Sequence, residues 1–280
     1  MIDNVSIVVP TYKSQQYIAP SLDAIIKAAV PLFKNIELVV VNDGSVLAID
    51  DTLVNLKNTY GIAVTYIYIK RNNGQLWSTN VGIVNAQYNT IITIDDDLTY
   101  PPESIASLVA LATQPNFVVY GTVKKSSFLQ FSRVVMYWLC SKKMGSSLRY
   151  FSRGLVTDLS ALNVPIDMYF EGMPNFKNYY ANVYIPDGQN TVIRPGTSAK
   201  SILRKIAITF NYTYMFPKNK LPYLIALNAV LIFMLLMLNQ VVWAFIFTPT
   251  FILGIAGILK YYLTPLQRRV SEIDHEIKRL

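Results

Sequence analysis

Thr90-Ile-Ile-Thr-Ile-Asp95-Asp96-Asp97-Leu98-Thr99-Tyr100-Pro101-Pro102-Glu103 is the stretch that decides how this chain folds. An apolar, β-branched run stops abruptly at three consecutive carboxylates, and a Pro-Pro-Glu helix start follows. A buried strand ending this way puts its acids at the carboxyl edge of an open α/β sheet, where such folds bind ligands. Adjacent carboxylates repel one another unless a cation or hydrogen-bond donors hold them. Their hard oxygens suit Mg²⁺ or Mn²⁺, which can in turn clamp a diphosphate. A single Asp could serve merely as a helix N-cap; three at a strand end exceed that need.

Upstream of the acids the chain repeats one rhythm. Val5-Ser-Ile-Val-Val-Pro10 is a nearly continuous apolar run, as expected of a parallel strand covered on both faces. Tyr17, Ile18, Leu22, Ile25, Ile26 and Ala29 then recur at helical spacing. Ile36–Val41 is a second strand, closed by the turn Asn42-Asp43-Gly44-Ser45. A helix around Thr52–Lys57, a strand over Ala63–Ile69 and a helix from Gln75 through about Ala86 follow. Strands alternating with helices predict a parallel, doubly wound sheet. Asp43 and the triplet close two of its strands, which points to one shared ligand site.

The remainder of the chain differs in composition. No charged residue occurs from Leu221 to Leu259, although the chain carries a formal charge of +8. Leu221–Leu238 and Val241–Leu259, joined by Asn239-Gln240, predict a two-helix transmembrane hairpin, since ~18 residues at ~1.5 Å each reach ~27 Å. Lys218 and Lys220 before it and Lys260, Arg268 and Arg269 after it place both ends on the cytosolic side. Lys124–Lys143 and Ser198–Phe216 mix cations with large apolar side chains at helical spacing, which suits an interfacial position. Pro265–Leu280 reads as an amphipathic cytosolic helix, and Gly254 and Gly257 give the second span a face able to pack in a homo-oligomer. The expected layout is a catalytic domain over 1–197, an interfacial helix over 198–220, the hairpin over 221–263 and a tail over 264–280. Met1-Ile-Asp-Asn runs straight into a strand, so no signal peptide is expected, and the single Cys140 fits a reducing compartment. The expected location is the cell membrane with the catalytic domain in the cytosol. No nucleic-acid module is evident, so the positive charge is assigned to phosphates and lipid headgroups.

Four motifs stand in register: Val8-Val-Pro-Thr-Tyr12, Val41-Asn-Asp-Gly-Ser45, Arg71-Asn-Asn-Gly-Gln75, and Ile94-Asp-Asp-Asp-Leu98 with Pro101-Pro-Glu103. Together they resemble the family 2 glycosyltransferases of GT-A fold, and among these the polyprenyl-phosphate sugar transferases. The likeness is strong over 4–110 and continues through Ser147–Arg153 and Ser198–Lys205. The resemblance implies a nucleotide-diphosphate sugar as donor, a UDP-sugar favoured, and inversion at the anomeric carbon. It implies that Pro10 and Tyr12 line base and ribose, that Asp43 bonds the base edge, and that Arg71 meets the donor near its phosphates. Asp95 and Asp97 match the aspartate-x-aspartate metal motif, with Asp96 beside them in the donor site. Three departures accompany the match. Asn42 replaces the first acid of Asp-Asp-Gly-Ser, Ser14 stands near a usual Glu, and Lys142–Ser147 has no acid before Arg149.

An acceptor hydroxyl needs a general base, whereas a lipid monophosphate is already ionised at pH 7 and needs cations to position it. With no evident base and many cations, the sequence favours polyprenyl phosphate, with Arg149 first and Arg153 and Arg133 next to hold it. Two other readings stay open: transfer to a glycan hydroxyl in surface polysaccharide synthesis, and an inactive nucleotide-sugar-binding membrane subunit.

Overall fold

Hydrophobic alternation is absent from Val5-Ser-Ile-Val-Val-Pro because helices cover both faces of that strand. The computed structural model describes residues 2–112, 118–123, 147–156, 166, 170, 180–185 and 273–280. All of them belong to one of the two units into which the chain divides, Met1–Lys125 with Gly145–Ile193 and Arg268–Leu280. Strands β1 (Ile2–Thr11), β2 (Phe33–Asn42), β3 (Ala63–Ile69) and β4 (Thr90–Thr93) are parallel. Helices α1 (Ile18–Ala29), α2 (Asp50–Tyr60) and α3 (Gln75–Asn85) connect them, and α4 (Ser104–Leu111) follows the acids. Next come β5 (Val118–Val123), β6 (Arg149–Ser152), β7 (Tyr180–Ile185) and β8 (His275–Arg279). The spatial order is β7-β5-β6-β4-β1-β2-β3-β8, with β6 antiparallel to β4 and β5, and β8 antiparallel to β3. The expected α/β class and the doubly wound, GT-A-like half are therefore present.

This order positions the site. From β1 the chain moves outward through β2 and β3, then returns to β1's other side for β4. That reversal opens a crevice beyond the carboxyl ends of β1 and β4, the usual ligand position in such sheets. The acids at the ends of β2 and β4 flank β1.

Packing follows the apolar pattern. The α1 side chains Ile18, Leu22, Ile25, Ile26 and Ala29 are buried against Val5, Ile7, Val9, Leu38 and Val40 in one core. Gly82 lets α3 lie close to the sheet. An added Cβ there would overlap Val8 Cγ1 and stand 2.9 Å from Val41 Cγ2. Gly82→Ala is expected to cost about 1–2 kcal/mol net, overpacking outweighing Ala's better helix propensity, as read by urea denaturation.

A fully buried carboxylate away from the site ties the same layers together. Glu37 accepts hydrogen bonds from Ser6 Oγ at 2.5 Å, Thr65 Oγ1 at 2.7 Å and the Gln87 N–H at 2.7 Å. It thereby joins β1, β2 and β3 to the turn that leaves α3.

The tail departs from expectation. Over His275–Arg279 it is a strand rather than an amphipathic helix, paired with β3 from Ile69↔His275 to Thr65↔Arg279. Ile273 and Ile277 are four residues apart, a helical interval. The ladder's backbone hydrogen bonds and the ion pairs of Lys70 with Asp274 (3.1 Å) and Lys278 with Asp50 (3.0 Å) hold the extended form instead. The hairpin expected over 221–259 and the helices expected over 124–143 and 198–216 lie outside the described residues. Among the described residues, no helix is long and apolar enough to cross a membrane.

Candidate active site

The turn after β2 is built by Asn42. Its Oδ1 accepts from Ser45 N at 3.0 Å and Ser45 Oγ at 2.7 Å, while Nδ2 donates to Ser45 O at 2.8 Å and to the Tyr66 hydroxyl at 2.9 Å. An Asp would supply the acceptor but not the donor, which gives a physical reason for Asn at this departure from the family pattern. Ser45 Oγ also accepts from Lys13 N at 3.1 Å, so the turn is tied to the loop leaving β1.

Asp43, expected at the base edge, is turned toward the chain itself. It is buried, and its two oxygens accept the N–H groups of Asn73 at 2.8 Å and Gly74 at 2.7 Å. The Arg71–Gly74 segment is thus strapped to the end of β2. Gly44, at φ +74°, makes the close approach possible: a Cβ there would sit 2.7 Å from Asn72 N and 2.9 Å from the Arg71 carbonyl carbon. Arg71 itself is exposed on this strap.

The three acids have three different surroundings. Asp95 accepts from Gln75 Nε2 on one oxygen and from Ser147 Oγ, at 2.6 Å, on the other. Burial, and next the neighbouring charge of Asp97, push the Asp95 carboxyl up to about 6, although the Ser147 hydrogen bond opposes the rise. Asp96 is 1% exposed and accepts from Ser14 Oγ, beside which the Tyr17 hydroxyl lies at 3.0 Å. Asp97 is half-buried, and its Oδ1 accepts from Thr99 N at 3.0 Å across Leu98, whose φ is +53°. Three successive carboxylates therefore do not aim at one point.

Arg149, the first candidate for the acceptor phosphate, is buried. It donates to Thr93 Oγ1 at 2.9 Å and to Ser147 O at 3.3 Å, opposite Thr93 in the β4–β6 ladder. From there its charge favours the ionised form of Asp95. Arg153 donates to the carbonyls of Val84, at 2.8 Å, and Ala86, closing the carboxyl end of α3. Arg133 lies outside the described residues. Pro10 is buried in β1, whereas Tyr12 is exposed with Lys13 Nζ 5.3 Å from its ring centroid.

The strap and the acid triplet thus straddle the end of β1. Residues 6–161 match the model of a family described as glycosyl transferase family 2. The chain belongs to that family. Among curated proteins it is similar to the undecaprenyl-phosphate 4-deoxy-4-formamido-L-arabinose transferase of Proteus mirabilis, 34% identical over 125 residues, or 45% of this chain and 38% of the relative. The Edwardsiella ictaluri protein of the same name is 33% identical over 124 residues, covering 44% and 38%. The matched stretch thus spans under two-fifths of the length of either relative. Among solved structures, glucosyl-3-phosphoglycerate synthase of Mycobacterium tuberculosis with UDP superposes with a TM-score of 0.51 at 18% identity, covering 74% of this chain and 79% of that one. The same enzyme with Mn²⁺, UDP and glucosyl-3-phosphoglycerate gives 0.51 at 20%, covering 74% and 76%. At such identities the likeness concerns the fold.

Among the described residues no group of three or more acids, histidines or cysteines is arranged to hold a metal. The donor set nevertheless fits a hard divalent cation. Mg²⁺ and Mn²⁺ are commonly held by one or two protein carboxylates with the rest supplied by water and substrate phosphates. Asp95 and Asp97 would be that pair, while Asp96 accepts from Ser14.

Gln75, Ser14 and Ser147 do not stand out in the sequence as site residues. The one available signal was position: Gln75 closes the Arg71–Gln75 motif, Ser14 stands near the family's usual Glu, and Ser147 opens the weaker match that ends at Arg153.

Proposed function

We propose that the chain transfers one sugar, with inversion, from a UDP-sugar or related nucleotide-diphosphate sugar to a polyprenyl phosphate such as undecaprenyl phosphate. The transfer takes place at the cytosolic face of a membrane in which the 221–259 hairpin anchors the chain. The observation that carries this reading is the pair of acids at the end of β4 beside a strap tied to the end of β2. This geometry suits a diphosphate lying across the end of β1. The names of the two curated relatives support the choice of acceptor.

In this reading the strap residues Arg71–Gly74 seat the donor's diphosphate, and Tyr12 covers the nucleoside. Asp95 and Asp97 would hold Mg²⁺ or Mn²⁺. Such a cation supplies charge neutralisation for the departing diphosphate. A phosphate oxygen of the acceptor forms the new bond to the anomeric carbon as the bond from that carbon to the donor's β-phosphate oxygen breaks. The electron pair leaves with the nucleoside diphosphate. The attacking oxygen is already ionised at neutral pH, so no side chain has to remove a proton, in keeping with the lack of an acid before Arg149.

The test is incubation of membranes bearing the full chain with radiolabelled UDP-sugars and either undecaprenyl phosphate or glycan acceptors. Label should pass to the organic phase with undecaprenyl phosphate. Label transferred only to the glycan would refute the acceptor assignment. No transfer from any donor despite nucleotide binding would refute the activity.

A further inference from the structure

We propose that Gln75 and Ser147 are positioning residues that fix the plane of the Asp95 carboxylate for a divalent cation, an inference that rests on the metal-assisted reading above. They reach Asp95 from different elements, Gln75 from the first residue of α3 and Ser147 from just before β6. Each serves a different oxygen. One donor per oxygen stops rotation about the Cβ–Cγ bond and leaves each oxygen lone-pair capacity. Both donors are neutral. A Lys or Arg in either place would neutralise the carboxylate and compete with the cation, whereas an amide and a hydroxyl orient it and leave its charge in place.

Each donor is itself held. The Ser147 carbonyl accepts from Thr93 Oγ1 at 2.7 Å and from buried Arg149, which sets the hydroxyl's position relative to β4. Gln75 directly follows the strap whose Asn73 and Gly74 N–H groups are gripped by Asp43. Its amide therefore joins the strap to Asp95, so that the proposed donor seat and the metal ligand share one frame. Gln75 is exposed and absent from the core, so its side chain does little for packing.

Partners that orient a metal ligand are commonly worth about 10–100-fold in metal affinity. The experiment uses the full chain, stripped of metal and saturated with UDP, with free Mn²⁺ followed by electron paramagnetic resonance. Gln75→Met keeps length and removes the donor; Ser147→Ala removes the hydroxyl. Each is expected to weaken Mn²⁺ binding about tenfold. Melting temperatures of the metal-free variants should stay within about 2 °C of the parent, as for surface changes away from the core. Folded variants that bind Mn²⁺ as tightly as the parent overturn the proposal and leave the metal reading standing. A parent chain that binds no Mn²⁺ overturns that reading, and this proposal with it. Loss of fold in Gln75→Met assigns the residue to stability and counts against a positioning role.

Discussion

Asp97→Asn is expected to lower sugar transfer by about 10³-fold while the fold survives, because the amide cannot replace a carboxylate beside a cation. The geometry explains why the fold should survive. Asp97 Oδ1 accepts the Thr99 N–H at 3.0 Å across the left-handed Leu98, and an Asn oxygen can accept the same bond. The substitution also removes the charge that helps push Asp95 up to about 6. The metal-free variant should accordingly melt no lower than the parent, and Mn²⁺, expected to raise the parent's melting temperature, should leave the variant's unchanged. The decisive measurement is the transfer rate at saturating Mn²⁺ in membranes of equal protein content. A variant retaining more than about a tenth of the parent rate would remove Asp97 from the metal site.

Gly44→Ala is expected to act on the donor seat without touching an acid. At φ +74° an L-residue costs about 1–2 kcal/mol, and the new methyl meets the backbone of Arg71 and Asn72, which cannot rotate away. Either the turn or the strap must shift, and the two hydrogen bonds from Asn73 and Gly74 to Asp43 go with it. A total cost of about 3 kcal/mol and at least a tenfold loss of UDP affinity are expected, measured by denaturation and by calorimetry. Gly61→Ala is the control. Gly61 has φ +64° but nothing within 4 Å of its Cβ, so it should show the conformational cost alone with UDP binding unchanged. Equal effects from both substitutions would mean that the Gly44–strap contact is unimportant.

What the sequence revealed is what local patterning encodes. Runs rich in apolar and β-branched residues identified β1 through β4, and the periodicity of Ile18, Leu22, Ile25 and Ala29 identified the buried face of α1. The acid triplet marked the crevice because three charges at a strand end have few structural uses. Pairings between distant residues could not be read. Ser14 meets Asp96 across 82 positions and Ser147 meets Asp95 across 52, and neither a serine's identity nor its spacing reveals its partner. Arginines were the hardest to place. Arg149 and Arg153 look alike in a list of cations, but one is buried against Thr93 and Ser147 and the other closes a helix end. Asp43 carried a family role at the base, yet the tertiary approach of the strap engages both its oxygens. The tail failed for a related reason: Ile273 and Ile277 fit a helix, and only the bare edge of β3 selects the extended form.

Because the strand that covers β3 comes from residues 275–279, far from β3 in sequence, trimming the chain for expression carries a hidden hazard. A fragment stopped anywhere before Ile273, the obvious way to discard the greasy segment, would strip β8 and leave the outer backbone groups of Thr65–Ile69 without partners. An unprotected rim of that sort invites fibre-like self-association. Excising the apolar segment internally and rejoining the last eight residues by a flexible linker would preserve the rim's cover.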